Sequence, residues 1–337
     1  MSIVNEIFQD MTDEEYFSLS GYYSHSLLAR YKNEGLGCLL PLDKSKSLAI
    51  GSLVDTLITA PNQIDLFHVI DNLSDKDVEI IYELRDQKKK LGRNLTDDDI
   101  IDVINKLDWR KTWKNPTRIQ YVREIYDPIK DMNFEYIISS EMFANAKRCV
   151  ETLYTCDATK DIFADCMTRV YQGVILGDIK TVFDQGFSFK ARSKFDIVCI
   201  DETNKKIYPY DLKTTSKKEW EFIDSFFKYG YDIQASIYTT LLKQKVDEID
   251  TKGEWSIEPF RFIVVNTETP DPIVYKFEPP LTGTGFRFKP DGYHELIDPA
   301  YLVEALENDI KESKRNSRPF SWRGQTVIDL NSKFKMK

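Results

Sequence analysis

The sequence predicts a mixed α/β (α+β) fold, in which a central mixed sheet is flanked by helices and preceded by a large helical segment. Three observations predict this fold. Apolar residues recur at helical spacing in the first half of the chain, β-prone runs dominate Val174–Lys213, and a long helical pattern then leads to two further β-prone runs. Taken in order, helix, three strands, helix and strand give a mixed α/β core.

The first part of the chain, from Met11 to about Ala60, is predicted to be helical. Its segments "SHSLLARYKNEG" and "SLAIGSLVDTLITA" carry apolar residues at helical spacing. Asp55 lies inside the apolar stripe of the second segment, where a carboxylate is unusual. Residues 63–168 continue mostly helical and strongly charged, and Thr96 followed by three acids is typical of a capped helix start.

The second part is predicted to form the sheet and its covering helices. The turn signal "DETNKK" separates two β-prone runs, so Lys194–Ile200 and Ile207–Lys213 should pair as a hairpin. The elements expected next are a helix over Lys218–Lys243, strands near Phe260–Val265 and Ile273–Phe277, and a final helix over Tyr301–Lys314. We therefore expect residues 1–62 to contribute helices to the core, 63–168 to form a helical insertion, 169–285 to form the core, and 286–337 to form a C-terminal helix and tail.

The 337-residue chain has a net charge of −9 and contains five cysteines. This charge argues against a protein that coats nucleic acid through bulk positive charge, but not against an enzyme with a local basic channel and an acidic metal site. The dispersed cysteines lack a C-x-x-C pair and are typical of reduced thiols. No run approaches the roughly 20 apolar residues of a membrane span, and the acidic N-terminus is unlike a secretory signal. We therefore expect a cytoplasmic protein with no membrane contact.

The stretch "IYPYDLKTT" places an acid and a lysine two residues apart at the end of a predicted strand. Strand alternation would put Asp211 and Lys213 on one face and Leu212 on the other. The hairpin would bring Asp196 close to Asp211, and two converging carboxylates can hold Mg²⁺ or Mn²⁺. Lys213 would then orient an attacking water or offset charge on a phosphorane-like transition state. A structural ion pair at a sheet edge is the alternative interpretation.

The D-x-K pattern alone is weakly specific, because it recurs at Asp86/Lys88, Asp178/Lys180, Asp250/Lys252 and Asp309/Lys311. The match in "ILGDIK" also follows an apolar run, but it lacks an acid-bearing strand just upstream and a helix with matching polar residues just downstream. On the helix after Asp211, Gln234 and Tyr238 are four residues apart and share one face. They would bind substrate phosphates or fix the acids and the lysine, whereas the alternative is an ordinary amphipathic helix.

The set "KARSKFDIVCI…IYPYDLKTTS…YDIQASIY" resembles the PD-(D/E)XK nucleases of the RecB-like group, and it is especially similar to phage RecE-type, lambda-exonuclease-like enzymes. In that family an acid on one strand is followed by D/E-x-K on the next strand and then by a Q-x-x-x-Y helix. The resemblance implies a restriction-endonuclease-like core. It equates Asp196 and Asp211 with the metal-binding acids and Lys213 with the catalytic lysine. Gln234 and Tyr238 match the Q-x-x-x-Y pair.

Members of this family carry a further ligand on an upstream helix, often the His of a G-x-x-x-H pattern. In this chain Gly51 is followed by Asp55 at the His position. Because an oxygen ligand suits Mg²⁺ better than imidazole does, the resemblance implies that Asp55 is a third ligand; the alternative is a helix-surface Asp without a role. The Leu212 carbonyl is expected to help bind the metal. The matching segments cover Val174–Phe277 well and Ser24–Ala60 loosely.

The resemblance implies a deoxyribonuclease that uses one or two Mg²⁺ or Mn²⁺ ions. It points to a 5′–3′ exonuclease on linear double-stranded DNA, which would serve phage-type recombination and supply single strands to an annealing protein. Rings and tetramers occur in the family, so a homo-oligomer is compatible with it, and a bacterial cytoplasmic protein encoded by a phage or prophage is expected.

Two cofactors are not expected. No cysteine follows Cys199, so the iron–sulfur cluster of some relatives is not expected, and no G-x-x-x-x-G-K-[ST] motif indicates ATP use. Two alternatives to the exonuclease stay open: an endonuclease with the same chemistry, and a non-catalytic DNA-end-binding or regulatory protein on the same fold. The intact acid–acid–lysine set argues against the second.

Overall fold

The computed structural model describes residues 3–40, 45–132, 134–164, 167–184 and 186–312, without the side chain of residue 219. Cys166 and the predicted tail after residue 312 lie outside these residues. The described N-terminal part forms α1 (Ile3–Ile7), α2 (Asp13–Ser18), α3 (His25–Glu34) and α4 (Lys46–Thr59). Among the described residues no helix is long and apolar enough to cross a membrane.

Residues 63–168 form a mostly helical segment, as the sequence indicates. Its elements are β1 (Phe67–Ile70), α5 (Asp75–Leu91), α6 (Asp97–Lys106), α7 (Asn115–Tyr126), β2 (Tyr136–Ser139) and α8 (Ser140–Thr155). Thr96 caps α6 in a reciprocal box with Asp99, as predicted from its acids. The parallel β1–β2 pair was not predicted, because four-residue strands are too short to show a period-two pattern. Buried side chains of α5, α6 and α7 share a hydrophobic core of their own.

The remaining elements form the core of the fold. They are β3 (Thr168–Lys180), β4 (Ser188–Asp201), β5 (Lys206–Thr215), α9 (Phe222–Lys228), α10 (Tyr231–Ile249), β6 (Ser256–Ile257), β7 (Phe260–Asn266), β8 (Ile273–Phe277), β9 (Arg287–Phe288), β10 (Leu296–Ile297) and α11 (Pro299–Lys311). The main sheet has the order β3-β4-β5-β7-β8. Strands β5 and β7 run parallel and the other neighbours in this order run antiparallel, which makes the sheet mixed. The predicted hairpin is the β4–β5 pair, with Ile200 opposite Ile207.

Helices cover both faces of this sheet. Helices α3, α10 and α11 pack on one face, where Phe195, Phe260 and Phe262 are fully buried. Helices α4 and α8 pack on the other face, where Leu212 joins Ile263. Leu212 therefore points away from α10, which leaves its two neighbours on β5 to face that helix.

The helix predicted over Lys218–Lys243 is two helices, α9 and α10, that are separated at Gly230. Gly230 has a left-handed backbone, with φ at 68°. A Cβ at this position would lie 2.7 Å from the Cβ of Ala29 on α3. Only glycine meets both conditions without strain, so the chain turns here and α10 starts against α3.

The last helix begins at Pro299, two residues earlier than predicted. Buried Asp298 caps it by accepting a hydrogen bond from the backbone N–H of Ala300 at 3.0 Å. The same carboxylate also accepts from the N–H groups of Gly283 and Gly285, at 2.9 and 2.7 Å. Asp298 thus ties the loop after β8 to α11.

We expect Gly230→Ala to lower the free energy of unfolding by about 3 kcal/mol, because a Cβ adds a clash to an unfavourable backbone conformation. Gly253→Ala is the matched control: its φ is 69°, but its Cβ would meet nothing within 4 Å. That control should cost about 1 kcal/mol. Urea unfolding of the two variants measures the difference, and equal losses would contradict the close packing at Ala29.

Candidate active site

The end of the β4–β5 pair brings Asp196 beside the "DLK" residues. Backbone pairing between the two strands stops at Ile197 and Tyr210. Beyond that point the Leu212 N–H donates to Asp196 Oδ2 at 2.8 Å, so a side chain takes the place of the strand partner. The half-buried Asp196 carboxylate therefore lies against the β5 backbone, between Asp211 and Lys213.

Asp211 is the most buried member of the site, at 1% exposure. Its Oδ1 accepts a hydrogen bond from Gln234 Nε2, and its Oδ2 lies 2.5 Å from Lys213 Nζ. Despite that short distance, Oδ2 accepts no well-aligned hydrogen bond. We conclude that the contact with Lys213 is mainly an attraction between charges, and that Oδ2 keeps acceptor capacity.

Helix α4 brings Asp55 to the same region. A Cβ at Gly51 would lie 3.0 Å from Thr214 Oγ1, so the glycine lets α4 approach β5 closely. Asp55 follows one helical turn later and is half-buried. This approach explains why a carboxylate occurs within an apolar helical stripe.

Gln172 on β3 holds the Asp55 carboxylate and was not recognised from the sequence. Its Nε2 lies 3.2 Å from each Asp55 oxygen and 3.0 Å from Thr59 Oγ1. Gln172 has φ at 53°, which is rare for a strand residue other than glycine. It is also the position at which pairing with β4 is interrupted, opposite Asp196. A glutamine in a β-prone run gives no sequence signal for this conformation.

Tyr238 is buried on α10, about one helical turn after Gln234. Its hydroxyl lies 3.2 Å from His25 Nδ1, and the two rings meet edge to face. Burial, helped by the charge of Lys213, lowers the pKa of His25 to about 3, so this imidazole is neutral. The three histidines of the chain are widely scattered, so no metal-ligand spacing in the sequence marks His25. The structure places it at the edge of the site, where it fixes Tyr238.

The site brings three carboxylic acids around one ammonium group. Burial and the Asp211 carboxylate raise the pKa of Asp55 to about 6. Burial and the same carboxylate raise the pKa of Asp196 well above its ordinary value. Burial acts to lower the pKa of Lys213, but the charge of Asp211 overrides it and raises that pKa. Three mutually repelling acids thus surround one ammonium that keeps its proton.

These residues fit a hard divalent cation. Their donors are carboxylate oxygens, three acids meet one ammonium, and Asp211 Oδ2 is a buried oxygen without an aligned donor. The carboxylates do not form a complete ligand set as they stand: within the described ranges, no three His, Cys, Asp or Glu side chains already converge as a metal-ligand set. Asp196 and Asp211 form the centre of this arrangement. Asp55 lies beside them, and its carboxylate accepts hydrogen bonds from Gln172.

The competing D-x-K match and the basic side chain of Arg192 are not part of this arrangement. Asp178 and Lys180, in the competing D-x-K match, are both exposed on β3. Arg192, on the strand that leads to Asp196, donates to the backbone oxygens of Tyr16 and Leu19. Arg192 therefore anchors the N-terminal segment to the sheet.

Comparison with known proteins gives one family. A family model described as a PDDEXK-like domain of unknown function (DUF3799) matches residues 28–288, which include Asp55 and every other candidate site residue. No curated protein matches the chain. A solved structure described as "Crystal structure of SSO0001" is 14% identical, with 87% of this chain and 86% of that chain covered and a TM-score of 0.27. At that TM-score, residues of the two chains cannot be equated.

We expect two substitutions in the site to change stability in opposite directions when metal is chelated. Lys213→Met leaves Asp211 without its counter-charge and should destabilise the protein by about 2 kcal/mol. Asp196→Asn keeps an acceptor for the Leu212 N–H but removes repulsion, and it should stabilise by about 1 kcal/mol. Urea unfolding in EDTA measures both effects. Lys180→Met, on the exposed D-x-K match, is the control and should change stability by less than about 0.5 kcal/mol. A stabilising Lys213→Met would contradict the charge balance described here.

Proposed function

The chain belongs to the PDDEXK-like domain family, and on this premise we propose that it is a metal-dependent deoxyribonuclease. The family match confirms the predicted PD-(D/E)XK superfamily, and the mixed sheet between helices agrees with the predicted fold class. The observation that carries the proposal is the meeting of Asp196, Asp211 and Lys213 where β4 and β5 separate.

Asp196 and Asp211, with the Leu212 carbonyl and Asp55, would hold one or two Mg²⁺ or Mn²⁺ ions. When bound, such an ion supplies a more acidic water and stabilises negative charge on the phosphodiester. Gln172 keeps the Asp55 carboxylate turned toward the sheet, and Gln234 holds Asp211 Oδ1 while Oδ2 faces Lys213 Nζ.

In this proposal the side chain of Lys213 acts as a protonated ammonium group. Its raised pKa keeps Nζ charged at neutral pH, so it donates to a phosphate oxygen and offsets charge that develops during in-line attack. Its Nζ also lies 4.4 Å from the centroid of the Tyr231 ring, which fixes the ammonium from a second side. Lys213 is therefore positioned before substrate arrives.

The finer parts of the proposal rest on the sequence resemblance to RecE-type enzymes. We propose 5′–3′ exonuclease action on linear double-stranded DNA, in phage-type recombination or DNA processing in the cytoplasm. An annealing protein would take up the single strand that is released, and a closed homo-oligomer would keep the enzyme on its substrate.

We expect the protein to degrade end-labelled linear duplex in Mg²⁺ or Mn²⁺ and not in EDTA, with Lys213→Ala reducing the rate by at least about 1,000-fold. Lys180→Ala is the matched control and should act like the wild type, because its side chain is exposed on β3. Gel analysis of the labelled products over time measures the rates.

Covalently closed circles in the same assay distinguish the modes of action. Resistant circles support an exonuclease, whereas cut circles replace it with an endonuclease. Binding of linear DNA without degradation in either metal would favour a non-catalytic end-binding protein, and wild-type activity in Lys213→Ala would remove this site from the chemistry.

Asp55 provides a separate test of metal binding. We expect Asp55→Ala to lower activity by about 100-fold at limiting Mg²⁺ and to raise the Mg²⁺ concentration needed for half-maximal rate, because a ligand is lost. Asp55→His restores a ligand and should recover activity better in Mn²⁺ than in Mg²⁺, because imidazole suits Mn²⁺ better. The rate as a function of each metal concentration measures both effects. An Asp55→Ala variant with an unchanged metal requirement would contradict a ligand role.

A further inference from the structure

The segment 216–229 connects β5, which carries Asp211 and Lys213, to α10, which carries Gln234. It begins three residues after Lys213, at the end of β5, and it ends five residues before Gln234 on α10. Both of its ends are therefore close in sequence to residues of the site.

Buried aromatic residues and backbone contacts hold this segment in place. Phe222 and Phe226 on α9 are each 6% exposed, and both rings pack against Phe262 of β7. Asn266 Nδ2 donates to the Lys217 carbonyl at 2.7 Å. Asn33 Nδ2 donates to the Lys228 carbonyl at 2.9 Å. The segment presents a defined outer surface because its inner face and both its ends are anchored.

The outer surface carries large rings that face solvent beside lysines. Trp220 is 65% exposed and Tyr229 is 51% exposed. Lys218 Nζ lies 5.8 Å from the centroid of the Trp220 ring, and Lys228 Nζ lies 5.2 Å from that of Tyr229. Exposed rings with adjacent ammonium groups form the surface that stacks bases and holds phosphates of a single strand.

A series of rings connects this surface to the catalytic lysine. The Tyr229 and Tyr231 centroids are 5.9 Å apart, and Tyr231 in turn lies against the Lys213 ammonium at 4.4 Å. A base that stacks on Tyr229 would thus be separated only by the Tyr229 ring from Tyr231, which contacts Lys213.

The segment also contains acidic residues, which offset the positive charge of its lysines. The Lys218 N–H donates to Glu221 Oε2 at 3.1 Å, so that carboxylate is turned toward its own backbone. Asp224 is exposed to solvent. The segment therefore has no large positive charge, and the favourable feature is the placement of lysines beside the rings. Stacking needs the open face of a base, which a paired duplex offers only at its end.

We propose that segment 216–229 binds single-stranded DNA beside the active site, with Trp220 and Tyr229 stacking on unpaired bases and Lys218 and Lys228 contacting the flanking phosphates. The inference rests on the proposed nuclease function and deepens it: the strand to be cut reaches Asp211 and Lys213 already unpaired.

We test this by measuring fluorescence anisotropy of a labelled oligodeoxythymidine of about 15 nucleotides and of a blunt duplex of about the same length, in EDTA so that no strand is cut. Trp220→Ala and Tyr229→Ala should each weaken single-strand binding by about tenfold. Trp220→Phe keeps a stacking ring and should stay within about threefold of the wild type. Duplex binding should change less than single-strand binding in every variant.

Tyr154→Ala is the control, because Tyr154 is 44% exposed on α8 and its ring contacts Phe163, away from segment 216–229. It should leave single-strand binding unchanged, and thermal unfolding should show that all variants are folded. Folded Trp220→Ala and Tyr229→Ala variants that bind the oligonucleotide like the wild type would overturn the proposal, as would a wild type that binds no single strand. A change of sedimentation coefficient with unchanged DNA binding would assign the surface to contact with a second copy, which also overturns it.

The binding assay is independent of catalysis. If the wild type cuts no DNA but the ring variants lose oligonucleotide binding, the nuclease proposal fails and the binding surface stands. If the wild type cuts DNA and the ring variants bind normally, the nuclease proposal stands and this inference fails.

Discussion

The buried carboxylate of Asp211 is the group on which the arrangement of the core depends. A carboxylate at 1% exposure is costly unless charge and hydrogen bonds compensate for lost water. Lys213 supplies the charge from the same strand face, and Gln234 supplies the hydrogen bond from α10. Gln234 lies in the first turns of α10, which begins after Gly230, where the chain packs closely against Ala29 of α3. The turn, the helix and the strand are thus coupled through one side chain.

The number of acids distinguishes a functional site from a structural ion pair. A stabilising pair needs one carboxylate for Lys213, and Asp211 fills that role. Asp196 and Asp55 are two carboxylates beyond the one that pairs with Lys213, and burial and Asp211 raise the pKa of both. Such groups reduce the stability of the metal-free protein. An excess of carboxylates, held in place by Gln172 and the Leu212 N–H, is what a cation site requires and an ion pair does not.

Local patterns in the sequence predict part of this structure. The β4–β5 hairpin, the shared face of Asp211 and Lys213 and the helix with Gln234 follow from short-range periodicity, which one segment carries by itself. The break at Gly230 depends on Ala29, which is about 200 residues away, and the contact between His25 and Tyr238 joins equally distant segments. Gln172 takes its left-handed conformation inside a run that otherwise predicts a regular strand. These features arise from tertiary packing, so no local pattern encodes them.

The overall acidity of the chain is compatible with binding a polyanion at one place. With a net charge of −9, the protein repels DNA at long range, but salt at physiological strength limits that repulsion to about 8 Å. Within that distance, DNA binding depends on the local side chains. Those of segment 216–229 are aromatic rings and single lysines rather than a dense basic patch. Stacking on Trp220 and Tyr229 does not depend on net charge, so it provides contact energy that the charge balance of the chain does not cancel. On these proposals, an acidic protein keeps the carboxylates of the proposed metal site and still holds the strand that it is proposed to cut.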